Sequence, residues 1–210
     1  MRIALDLFNA SINSLQAIEL IRSFVEDQTR GKAELLDCSD LLRWQLVQVV
    51  SALDKFIHDI VRIGMIESYK GTRAMTKKYK DFKVGLDFLN AVETASTQVE
   101  KIRLFEQKIA YQFSYQSFQT PETIGDALSY IWDESHKWNT ISQGITPTIS
   151  EADVKTQLKN ISVRRNQIVH LVDCPSFLPP FAKQSIICED VGQSADFIKK
   201  VVASIYQCVC

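Results

Sequence analysis

Arg165-Asn166-Gln167-Ile168-Val169-His170 puts a guanidinium, a carboxamide and an imidazole on one short stretch. Arg clamps phosphate through its planar fork, and His is the side chain whose proton moves near neutral pH. Such a pair could hold a crowded phosphoryl group and take a proton from a hydroxyl. Arg165 is also out of place. Val154, Leu158, Ile161, Arg165, Ile168 and Val172 follow in steps of three and four, which is one face of an α-helix. An unpaired guanidinium on a buried stripe would cost several kcal/mol, so the position asks for a partner. Positions five apart on a straight helix diverge by about 140°. Three arrangements remain: the helix loosens before His170, the Arg165 side chain reaches around, or each site is completed across a two-fold axis. The last accounts best for a charge on the stripe. A His capping the helix dipole and an Arg snorkelling from a stripe edge are the plainer readings of the same residues.

Two other groupings carry chemistry. Asp54 and His58 are one turn apart, so an Asp could fix a His tautomer there or simply make a surface hydrogen bond. Between Tyr69 and Lys83, six cations (Lys70, Arg73, Lys77, Lys78, Lys80 and Lys83) face Asp81 alone, with Tyr69, Tyr79 and Phe82 interleaved. Cations for the backbone and rings for unstacked bases suit single-stranded RNA. A solvated surface loop has the same composition. Lys155, Lys159 and Arg164 would extend this surface towards the motif. His136 and Trp138 read as loop residues.

The elements that must position these groups are helical. One segment runs from about Ile3 to Thr29 and is closed by Gly31. A second, capped by Ser39 or Asp40, runs to about Ile66 and is apolar over more than half its circumference, as a central helix is. The spacing predicts further helices over about 84–95, 97–118 and 122–134, a polar connection from His136 to Pro147, and the motif helix up to His170 or Leu171. Thr148 with Glu151, or Ser150 with Asp153, would cap that helix. Residues 174–190 read as a Pro-containing loop, and the last helix as starting near Ser194. The expectation is one all-α bundle of about five or six helices spanning 1–210, with 69–95 as a basic insertion.

Bulk properties narrow the classes. The chain has 210 residues, 46% apolar, with a formal net charge of −1, so attraction to a polyanion must be local. Neither a signal peptide nor an apolar run of the ~18 residues needed to span a bilayer is evident. The five cysteines are scattered, which fits reduced thiols in a cytoplasmic protein and no zinc site.

Residues 163–170 resemble the motif of the HEPN superfamily, an Arg followed by a polar residue with a His four to six residues further on. Asn166 fills the polar place. Ser51 to Asp59 resembles the helix-two pattern of the RiboL-PSP type of HEPN domain, and the order of elements is similar. The resemblance implies a metal-independent, cofactor-free endoribonuclease, with Arg165 and His170 catalytic, Asn166 assisting, and Asp54, His58 and Arg164 supporting. It implies a homodimer with the site at its interface. RNA 2′-hydroxyl attack would leave a 2′,3′-cyclic phosphate. Lys77, Lys78, Lys80 and Tyr79 are the RNA-binding candidates. A toxin or phage-defence role follows from the same likeness, with an antitoxin or regulatory protein as a partner. An idle RNA- or protein-binding module, and a regulatory member of a toxin–antitoxin pair, stand as alternatives.

Overall fold

The computed structural model describes residues 1–29, 38–174, 176, 179 and 181–210. Gly31, and Pro175, Phe177, Leu178 and Pro180 of the Pro-containing run, lie outside them. The described residues form nine helices and no strand: α1 (Arg2–Gln28), α2 (Ser39–Tyr69), α3 (Lys77–Lys80), α4 (Leu86–Thr94), α5 (Gln98–Phe113), α6 (Pro121–Leu128), α7 (Lys137–Gln143), α8 (Glu151–Leu171) and α9 (Cys188–Val209). The all-α bundle is as expected, with more helices than five or six.

α2 is the axis of the bundle because its apolar positions wrap around it. Val49, Leu53, Phe56, Ile57, Ile60, Val61 and Met65 are all essentially inaccessible to solvent. α1 packs on it antiparallel, as shown by the Phe8 and Phe56 rings 5.8 Å apart at one level and Gln45 donating to the Leu15 carbonyl at another. α8 also runs antiparallel to α2, since Arg43 meets Asp173 while Leu46 lines one cleft with Asn160 and Ile161. α9 runs parallel to it: Val191 sits beside Leu46, and Arg73, just beyond the end of α2, reaches the Val209 carbonyl. Gly64 permits the closest approach. A Cβ there would lie 2.6 Å from the Ile131 side chain.

Several boundaries differ from the sequence reading: α5 ends at Phe113 and not near 118, α6 ends at Leu128 and not near 134, and three more are set by packing or capping. Residues 136–147 are not a plain connection: α7 buries Trp138, Ile141 and Ser142, and the Trp138 indole donates to the Pro121 carbonyl at 3.0 Å. α9 starts at Cys188, not Ser194, because Val191 is a core position and the Asp190 carboxylate accepts from the Ile187 amide at the helix start. The N-cap of α2 is Cys38, and Ser39 and Asp40 sit inside its first turn, where both accept from Arg43.

Candidate functional site

α8 carries the motif on its last two turns. It begins as expected: Ser150 caps it, accepting from the Asp153 amide at 3.1 Å. Val154, Leu158 and Ile161 of the stripe are buried, and Ile168 is half-buried. Val172 is not part of the helix. It lies just past the end with φ 52°, and Asp173 follows with φ 59°. Helices commonly end in one left-handed residue, usually Gly. Here two successive non-Gly residues take it, one of them β-branched, for which that region is strained.

Arg165 is half-buried on the stripe. Its Nη1 donates to Asn166 Oδ1 at 3.1 Å, while its Nε is shut off from solvent with no hydrogen-bond partner among the described residues. Asn166 therefore engages Arg165 and not His170. The His170 side chain is exposed in the last turn. The helix is unbroken through Leu171, so it does not loosen before His170. The divergence of the two side chains stands, leaving reach or a second subunit to bring them together.

Arg164 points elsewhere. It pairs with Asp173, Nη2 donating to Oδ2 at 2.9 Å, and also reaches the Gln184 side chain at 2.7 Å. Asp173 is 1% exposed, and Arg43 of α2 donates to the same Oδ2 at 2.6 Å. Arg43 Nη2 then donates to the Gln184 carbonyl at 2.7 Å. Two guanidinia thus share one buried carboxylate at the end of the motif helix. The sequence reading missed Arg43, Asp173 and Gln184. One signal was available for Arg43, which interrupts the apolar face of α2 in step with Leu46 and Val50, much as Arg165 interrupts α8.

The remaining candidates lie apart from the motif. Asp54 Oδ1 accepts from the Phe118 amide. His58 donates through Nε2 to the Gln116 carbonyl at 3.2 Å, and its ring lies 4.4 Å from that of Phe118. Both hold the segment after α5. They follow Arg43 by eleven and fifteen residues, ~16 and ~22 Å along α2, on the side away from His170. The basic segment is farther still, beyond Tyr69, ~39 Å from Arg43 along the same axis. Its rings are packed inward. Tyr69 stacks on Phe105 at 4.8 Å, and Tyr79 and Phe82 meet Phe105 edge-on. Burial, then the neighbouring Tyr69, raises the Tyr79 hydroxyl above its usual range. Lys78 is tied to Asp126 and lies 4.6 Å over the Tyr130 ring. Lys77 and Lys80 stay exposed.

Exposed apolar side chains stand around the motif, as they also do along α1. At the motif end Trp44, Val163, Val169, Leu171, Val172 and Phe181 are each at least 44% exposed. Among the described residues no three His, Cys, Asp or Glu side chains cluster as metal ligands. No described helix is long and apolar enough to cross a membrane. A family model described as RiboL-PSP-HEPN matches residues 12–210. No curated protein and no solved structure matches the chain.

Proposed function

This chain belongs to the RiboL-PSP-HEPN family, a helical family associated with nuclease or RNA-binding roles, and from that premise we propose that it is a metal-independent endoribonuclease whose site is Arg165 and His170. The observation that carries the reading is the state of Arg165: a guanidinium on a core stripe with one N–H donor shut from water and unpaired among the described residues. A buried unpaired donor on a cation is costly unless something anionic meets it in the working state. An RNA phosphodiester supplies that anion.

In the proposed reaction His170 takes the proton of the 2′-hydroxyl. The 2′-oxygen then forms a bond to the adjacent phosphorus, and the bond from phosphorus to the 5′-oxygen breaks. The proton taken up by His170 then passes through water to the leaving 5′-oxygen. The products are a 2′,3′-cyclic phosphate and a 5′-hydroxyl. Arg165 neutralises charge on the non-bridging oxygens. The unbroken helix supports a shared site, because Arg165 and His170 diverge within one subunit. The apolar exterior around the motif supports a homodimer with this face inside. The expected settings are a cytoplasmic toxin or phage-defence effector, with an antitoxin or regulatory protein as the silencing partner.

One observation favours a second reading. Asn166 already engages Arg165, and among the described residues no side chain orients His170. An idle module that binds RNA or a protein would look the same. The two are separated by incubating the purified protein with tRNA and mRNA in EDTA and analysing the new ends. Cyclic phosphate ends, lost in Arg165→Ala and in His170→Ala and regained in part when the two variants are mixed, are expected. Cleavage that needs added magnesium, or that persists in His170→Ala, overturns the proposal.

A further inference from the structure

The imidazole of His170 has no hydrogen-bond partner among the described residues, so its place depends on the backbone that carries it. Catalytic histidines are commonly oriented by a carboxylate on the second ring nitrogen. Here the carboxylate lies three residues on and holds the chain instead. The Val172 and Asp173 amides both turn back to the Gln167 carbonyl, the latter at 3.1 Å. The Asp173 carbonyl accepts from the Gln184 amide at 2.8 Å. Its carboxylate, buried to 1% exposure, accepts from Arg43 on α2 and from Arg164 on α8.

A strained two-residue reversal does not hold itself. Helix ends fray, and without Gly the left-handed turn at Val172 and Asp173 tends to relax. What keeps it is the ion cluster, whose anchor Arg43 belongs to the central helix. We propose that Asp173 is the positioning residue of the site: by latching the end of α8 to α2 through Arg43 and Arg164, it fixes where His170 stands relative to Arg165. The proposal rests on reading Arg165 and His170 as the cleavage site. It separates the two adjacent arginines by task. Arg164 faces inward to the latch and Arg165 is left for the phosphate.

Asp173→Asn alone leaves Arg164 without its carboxylate and Arg43 with Asp40 only, at 3.3 Å, and destabilises the whole fold, so it cannot separate latch from scaffold. The double variant Arg43→Met with Asp173→Asn returns the net charge of the cluster to its native value while removing the latch to α2. Three properties are measured on native protein and on this variant: melting temperature, amide deuterium exchange along α8, and RNA cleavage. The expected result is a melting temperature restored close to native while the amides of the last turn exchange more than tenfold faster, with the turns from Val154 to Ile161 as internal reference. In the same variant kcat falls more than tenfold and KM stays within about twofold, because Arg165 still meets the RNA. Cleavage that returns together with the melting temperature refutes the latch. So does last-turn exchange that stays native. If native protein does not cut RNA, the cleavage reading falls, and the exchange measurement alone decides whether Asp173 holds the helix end.

Discussion

Replacing Asp54 by Ala separates a structural role from a chemical one. Its Oδ1 accepts from the amide of Phe118, a residue only 3% exposed. Removing the acceptor leaves that amide unpaired, which costs about 1–3 kcal/mol. The pair with His58 adds little, since the atoms are 3.7 Å apart and both side chains are more than a quarter exposed. For a chain of this size each kcal/mol moves the melting temperature by roughly 2–4 °C, so a fall of about 2–12 °C is expected in a circular-dichroism melt. RNA cleavage, assayed well below the transition, should stay within about twofold of native. The reason is distance: Asp54 is ~16 Å further along α2 than Arg43, at the far side from His170. A tenfold loss of cleavage with an unmoved melting temperature would refute this reasoning and return Asp54 and His58 to the site.

Trp138→Phe removes the indole donor to the Pro121 carbonyl and leaves that acceptor and some volume unfilled. A loss of about 1–3 kcal/mol in urea denaturation is expected, without effect on cleavage; an unchanged midpoint would show that α7 is not held by this bond. Burial raises the hydroxyls of Tyr79 and Tyr130, with Tyr69 adding to the first and Asp126 to the second. The folded state therefore favours their neutral form. Their contribution is fully present below the ordinary tyrosine range near pH ~10 and is lost as pH rises through and above it. Urea midpoints should fall between pH ~8 and ~10.5, less so in Tyr79→Phe; a flat profile in native protein would contradict it.

Much of α8 was legible. Val154, Leu158 and Ile161 follow the helical period, and Ser150 with Asp153 forms a local cap, so both signals lie within a few residues of what they specify. α7 was hidden because polar residues from His136 to Gln143 outweigh Trp138 and Ile141, although those two stand three apart. The acidic pair Glu189 and Asp190 marked the true start of α9. The rings of Tyr69, Tyr79 and Phe82 resembled a base-stacking surface because no local pattern tells that Phe105 will cover them. Asp173 was out of reach for the same reason. Its partner Arg43 is 130 residues away in the chain, and only the packing of α8 on α2 makes them neighbours.

The length of α2 has a consequence for how double variants should behave. Its 31 residues make a rod of ~46 Å, with the ion cluster beside Arg43 at one end and the aromatic cluster around Tyr69 and Phe105 at the other. No residue belongs to both clusters. Changes at well-separated sites with no common partner add in free energy, so Lys77→Glu and Arg165→Ala should act on stability independently within one subunit. The rod is in effect an insulator. Departure from additivity in RNA binding or cleavage would therefore report a connection outside the subunit, through the nucleic acid itself or across the two-fold axis.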